Sequence, residues 1–105
     1  MDTVDASGLR YGLSEQIITS LREVFQRFPA VNKVLVFGSR ATGEYRPYSD
    51  IDLAVIAPGM SERDFSLLWC ALDDLPILFK LDVLHFEQVT NEKLKQSILR
   101  EGQPL

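Results

Sequence analysis

The sequence contains a single cysteine, Cys70, so no disulfide can form within the chain. Its apolar neighbours Leu68, Trp69 and Leu72 predict a buried thiol in a reducing compartment. No apolar run approaches the length of a membrane span, and residues 1–12 lack the apolar stretch of a signal peptide. These absences predict a cytoplasmic protein that makes no use of a membrane.

Positive charge is also scarce, because 11 Lys and Arg residues face 15 Asp and Glu residues, for a net charge of −4. Non-specific binding of polynucleotides depends on cationic side chains that meet phosphates, so we expect no DNA partner. The 105 residues are 46% hydrophobic and 25% charged, as in ordinary globular proteins. We therefore expect one domain over residues 1–105, with residues 1–12 flexible and no separate acceptor-binding domain.

The hydrophobic pattern predicts three amphipathic helices and three strands. Ser14, Ser61 and Thr90 are suited to cap the three helices. The predicted strands cover residues 31–37, 50–57 and 77–86. The order helix, strand, strand, helix, strand, helix predicts an α/β fold in which helices pack on a small sheet.

Two further sets of residues favour structural roles. Phe65, Trp69 and Leu72 recur at helical spacing, which predicts a stripe facing the core. His85 has no second His or Cys at the spacing of a metal site, which favours a hydrogen-bonded structural histidine.

Residues 34–56 contain the chemistry of greatest interest. An apolar strand ends at Gly38 and Ser39, which offer backbone N–H groups and a hydroxyl to phosphate oxygens. The next strand begins with Asp50 and Asp52, whose side chains share one face about 7 Å apart because strand side chains alternate. Asp82, on the third strand, would join them at about 4.8 Å if the two strands are neighbours. Carboxylates beside a phosphate-binding turn predict a magnesium-nucleotide site.

This stretch resembles the signature of the nucleotidyltransferases related to DNA polymerase β. Gly-Ser-Arg-Ala-Thr-Gly at 38–43, followed by Ser-Asp-Ile-Asp-Leu at 49–53, is most similar to the minimal nucleotidyltransferases of prokaryotes. The resemblance extends over residues 14–101 and implies the polymerase β palm-like fold, with a small mixed sheet. It also implies transfer of AMP from ATP to a hydroxyl group, with two Mg²⁺ ions as cofactors.

The resemblance implies two groups of site residues. The catalytic carboxylates, which would also bind the metal ions, are Asp50, Asp52 and Asp82. The nucleotide-binding residues are Gly38, Ser39, Arg40 and Thr42. Within the first group, Asp82 would help to take the proton of the acceptor.

The family also implies a partner protein, and with it a homo- or hetero-oligomer. Minimal nucleotidyltransferases are commonly paired with a small all-helical protein of the HEPN class, an RNase toxin encoded nearby. The nucleotidyltransferase then acts as the antitoxin and transfers AMP to a tyrosine hydroxyl of the toxin.

Two other functions fit the same residues. The chain could be a binding module that neutralises its partner by occlusion, although three mutually repelling acids have no use in docking. It could also be a subunit of a small-molecule adenylyltransferase of the aminoglycoside type. Transfer of label from ATP to a protein, to a drug or to neither separates the three functions.

Overall fold

The structure, a computed structural model, describes residues 10–105. The predicted flexible segment 1–12 therefore lies mostly outside the described residues. Of its last residues, Arg10 forms an isolated antiparallel bridge with Leu13, with N···O distances of 2.9 and 2.7 Å. Within the described part, no helix combines the length and the apolar character that crossing a membrane requires.

One mixed sheet of four strands organises the described residues, in the spatial order β3-β2-β1-β4. The strands are β1 (Lys33–Phe37), β2 (Ile51–Ile56), β3 (Leu81–His85) and β4 (Gln103–Pro104). The central strand β2 is antiparallel to β1 and parallel to β3, while β4 is antiparallel to β1. The predicted α/β fold with a small mixed sheet is confirmed.

Helices cover both faces of this sheet. They are α1 (Glu15–Gln26), α2 (Ser39–Thr42), α3 (Glu62–Asp73) and α4 (Glu92–Glu101). The larger core cluster joins α1 and α3 to one face of β2. A smaller cluster joins Ile98 of α4 to Leu35 and Ala54 on the opposite face. The helices therefore leave only part of the second face open.

The alternation of β2 decides which side chains reach each face. Ile51, Leu53 and Val55 are fully buried in the larger core cluster, as their odd spacing predicted. The even positions carry Asp52 and Ala54 on the face of α4. Since α4 packs towards the end of β2, the carboxylate at its beginning remains available for chemistry.

Several predicted element boundaries were wrong. Helix α4 is capped by Asn91 rather than Thr90, because the Asn91 carboxamide oxygen accepts the Leu94 N–H at 3.1 Å. The third strand covers Leu81–His85 rather than residues 77–86, because a 3-10 turn begins at Phe86. The short strand β4 was not predicted.

The prediction of a buried Cys70 was also wrong, because the thiol is exposed. Helix α3 directs Leu68 and Leu72, four residues apart, into the core. Cys70 lies two residues from each and therefore points to the opposite side. Trp69, which was predicted to belong to the core stripe, is 46% exposed.

His85 is confirmed as a hydrogen-bonded structural residue. The side chain is buried, and its Nε2 lies 2.9 Å from the carbonyl oxygen of Ala57. Its ring stacks on Phe65 with the centroids 5.0 Å apart. These contacts connect β3 to α3 and to the end of β2, away from the carboxylates.

Candidate active site

The sheet places two of the three predicted carboxylates side by side. Asp52, in the central strand, is paired with Phe37 of β1 on one side and with Asp82 of β3 on the other. Neighbouring strands lie about 4.8 Å apart, so the two aspartates share one face at adjacent positions. Asp50 precedes β2 by one residue, so the third carboxylate lies at the same end of the sheet.

The three carboxylates differ in their surroundings. Asp52 is half-buried, whereas Asp50 and Asp82 are exposed. Burial raises the pKa of Asp52, the charges of Asp82 and Asp50 raise it further, and Arg40 acts in the opposite direction. Negative charge therefore accumulates at the beginning of β2.

This donor set fits a magnesium ion. Mg²⁺ prefers carboxylate and phosphate oxygens, and a cation would offset the repulsion that raises the pKa of Asp52. Among residues 10–105, no three His, Cys, Asp or Glu side chains lie close enough together to form a preassembled metal site. The pairing of the strands places the backbones of Asp52 and Asp82 side by side. These residues therefore fit the group without already having the geometry of ligands.

The raised pKa of Asp52 predicts how the stability of the metal-free protein depends on pH. Because the pKa of Asp52 is higher in the folded state, proton binding by Asp52 stabilises the folded protein. This contribution is fully present below the unfolded-state pKa of about 3.9. It is lost as the pH rises through the higher pKa of the folded state. Thermal unfolding of the protein and of Asp52→Asn in EDTA should show the variant gaining relative stability over this range. A stability difference that does not change with pH would contradict the prediction.

Gly38 connects the phosphate-binding turn to the carboxylates. Its φ of +73° lies in the region that favours glycine, and it provides the N-terminal cap position of α2. A Cβ atom at this position would collide with the carboxylate oxygen Oδ2 of Asp52. The turn therefore approaches Asp52 so closely that any other residue here would have to displace its carboxylate.

Ser39 and Thr42 occupy opposite ends of α2. Ser39 is half-buried at the first helical position, where backbone N–H groups have no partner within the helix. Its hydroxyl forms no hydrogen bond with any of residues 10–105. The Thr42 hydroxyl lies 3.3 Å from the Ser39 carbonyl oxygen and 3.1 Å from Oε1 of Glu44. The Ser39 hydroxyl is thus available for a ligand, whereas the Thr42 hydroxyl already bonds to neighbouring residues.

Arg40 follows the phosphate-binding turn, but its side chain is buried in the interior. Its side chain is only 2% exposed, and its guanidinium donates to the backbone carbonyls of Tyr11, Pro47 and Ser49. Burial lowers the pKa of Arg40, while Tyr45 and then Asp52 raise it. All three guanidinium nitrogens already donate to backbone carbonyls, so these contacts favour a structural role, and nucleotide binding by Arg40 stays a prediction.

Sequence reasoning missed the surroundings of Arg40. Tyr45 and Phe79 place their rings 5.1 and 4.9 Å from its Cζ atom, and Tyr11 adopts a positive φ of 55°. These residues are far apart in the sequence, and none belongs to a recognisable motif. No pattern in the sequence predicts that they meet.

Comparisons with known proteins show a family and a shared fold. The family described as Polymerase beta, Nucleotidyltransferase matches residues 19–105. A solved minimal nucleotidyltransferase is 31% identical, with a TM-score of 0.68, and the match covers 87% of this chain and 94% of that one. No curated protein sequence matches the chain.

Two other solved structures are similar. A toxin-antitoxin crystallised with AMP-PNP is 26% identical, with a TM-score of 0.58, over 85% of this chain and 68% of that one. A nucleotidyltransferase from Sulfolobus solfataricus is 22% identical, with a TM-score of 0.53, over 95% of this chain and 90% of that one. The last similarity concerns the fold alone.

Proposed function

The chain belongs to the polymerase β nucleotidyltransferase family, and we propose that it transfers AMP from ATP to a hydroxyl group of a partner protein. The main support is the pairing of Asp52 with Asp82 in adjacent parallel strands, next to the Gly38 turn. This pairing unites two acids that are thirty residues apart in the sequence. Structural reasons alone do not favour two acids at this position, because their charges raise the cost of ionising Asp52.

Each residue of the site has a distinct part in the proposed reaction. The N–H groups at Gly38 and Ser39, with the Ser39 hydroxyl, would hold the β- and γ-phosphates. Asp50, Asp52 and Asp82 would hold Mg²⁺, two ions by family resemblance. Bound there, Mg²⁺ would neutralise phosphate charge and lower the pKa of the acceptor hydroxyl. The protein contributes mainly position and charge, as is usual in transfer reactions at phosphorus.

Asp82 is the residue best placed to meet the acceptor. It is exposed and lies on β3, the edge strand of the sheet, so a second protein can approach it directly. The acceptor oxygen would attack the α-phosphorus of ATP while the bond to the β-phosphate breaks and pyrophosphate leaves. The proton of the hydroxyl would pass to the Asp82 carboxylate.

We propose a toxin as the partner, because one similar structure is a toxin-antitoxin with AMP-PNP. By family resemblance, the partner is a small all-helical HEPN-type protein, and the acceptor is one of its tyrosines. The present chain would then act as the antitoxin. The use of ATP as donor accords with the cytoplasmic location predicted from the sequence.

The test uses ATP labelled at either the α- or the γ-phosphate. The protein, Mg²⁺ and the product of the neighbouring gene are incubated together, and the modified residue is located by mass spectrometry. We expect the partner to acquire the α-label but not the γ-label, on a tyrosine. A tight complex without label would overturn the proposal in favour of occlusion, and label on an added aminoglycoside would identify a small-molecule enzyme.

A further inference from the structure

Arg40 is the charged residue buried most deeply among residues 10–105, and its hydrogen bonds converge on the loop before Asp50. Its Nε and Nη2 lie 3.2 and 2.9 Å from the carbonyl oxygen of Ser49, and Nη2 lies 3.4 Å from that of Pro47. Its Nη1 lies 2.9 Å from the carbonyl oxygen of Tyr11. One side chain therefore joins the turn at Tyr11 to the loop that leads into the site.

Burial of the Arg40 charge costs free energy. Among the described residues, Arg40 forms no ion pair within 4.0 Å, so backbone carbonyls and the rings of Tyr45 and Phe79 compensate its charge. A use for this buried charge is therefore expected in the groups that the guanidinium holds.

The backbone around Asp50 is fixed on both sides. The carbonyl of Ser49, the preceding residue, accepts from Arg40, and the N–H of Ile51, the following residue, donates to the Lys80 carbonyl at 2.9 Å. Ser49 also closes a turn, because its hydroxyl accepts the Arg46 N–H at 2.8 Å. Asp50 thus lies between one point fixed by the sheet and one fixed by Arg40.

We propose that Arg40 is a positioning residue, which holds the Ser49 carbonyl so that Asp50 stays aligned with Asp52. The effect of Arg40 on catalysis rests on the proposed function, whereas its effect on the order of the loop does not. In this role Arg40 would act on the reaction through Asp50 and not through contact with phosphate. It also explains why an arginine follows the phosphate-binding turn but faces the interior.

Arg40→Lys and Arg40→Met separate positioning from phosphate binding. A lysine ammonium is a point charge without the planar fork that bonds to several carbonyls, so it should not hold the loop. For both variants, we expect kcat to fall by about 10- to 100-fold while the KM for ATP changes by less than about threefold. A phosphate contact would instead give a raised KM in Arg40→Met and substantial rescue by lysine.

Hydrogen–deuterium exchange provides the readout that does not depend on activity. In protein without nucleotide or metal, we expect residues 44–50 to exchange about tenfold faster in both variants, because their local opening becomes easier. Arg22→Met is the matched control: the Arg22 Nε also donates to a backbone carbonyl, that of Leu105, at 2.9 Å. The Leu105 N–H donates to the carbonyl of Val34, which lies towards the end of the sheet opposite Asp52. The control should therefore leave the exchange of residues 44–50 unchanged.

The outcomes are distinct. Unchanged exchange of residues 44–50 in a folded Arg40 variant would overturn the inference, as would a change confined to KM. Faster exchange, with no AMP transfer even by the unmodified protein, would keep Arg40 as the residue that orders the loop and reject the proposed function. Circular dichroism below the melting temperature confirms folding, and Arg40→Lys carries the comparison if Arg40→Met unfolds.

Discussion

Asp52→Asn is expected to lower AMP transfer by about 10³-fold or more without unfolding the protein. Metal-assisted neutralisation of charge supplies several kcal/mol in the transition state, and each 1.4 kcal/mol is about tenfold in rate. Asn keeps the size of the side chain but removes the charge that binds a cation. The pKa of Asp52 is raised by burial and by Asp82 and Asp50, so removal of its charge also relieves an unfavourable interaction. We therefore expect a melting temperature in metal-free buffer that is equal to that of the unmodified protein or higher.

The measurement combines an initial-rate assay with thermal unfolding in EDTA. Asp74→Asn is the matched control, because Asp74 is an exposed acid at the C-terminal cap of α3, outside the site. The control should leave both the rate and the melting temperature nearly unchanged. Transfer by Asp52→Asn within about tenfold of the unmodified rate would contradict a central role for this carboxylate.

The site could be predicted from the sequence where local periodicity determines the direction of side chains. The alternation along residues 51–55 predicted one buried apolar face and one face with Asp52, and the structure confirms both. The position of Asp82 was conditional, because periodicity within a strand does not reveal its neighbour. The parallel pairing of Asp52 with Asp82 supplies what the sequence left open.

The sequence failed where long-range contacts decide the role of a residue. An arginine after a Gly-Ser turn suits phosphate binding as well as burial, and only the meeting of Tyr45 and Phe79 around Arg40 decides between them. Strand β4 has two residues, one of them Pro104, and is too short to show a period. The burial of Cys70 was predicted wrongly because residues adjacent in sequence point to different sides of a helix.

Gly38→Ala is expected to lower both stability and the rate of transfer, because Gly38 lies directly against the Asp52 carboxylate. A non-glycine residue at a φ of +73° and a ψ of −154°, a region used almost only by glycine, costs about 1–3 kcal/mol, and the new Cβ would also displace the Asp52 carboxylate. We expect a loss of about 2 kcal/mol or more in the free energy of unfolding. A shift of Asp52 by about 1 Å would in addition lower the rate of transfer by about 10²-fold.

Two other glycines separate these causes in urea unfolding and rate assays. Gly43 has a φ of +89° in the left-handed helical region, and a Cβ there would meet nothing within 4 Å, so Gly43→Ala carries the strain of a positive φ without a collision. Gly59 has neither a positive φ nor a close neighbour, so Gly59→Ala should change stability by less than about 0.5 kcal/mol. If Gly38→Ala were no worse than Gly43→Ala in either assay, the contact with Asp52 would be irrelevant. Because the backbone conformation of Gly38 is itself more restricted to glycine than that of Gly43, a larger loss of rate for Gly38→Ala, beyond any loss of stability, would show that the turn is built around that carboxylate.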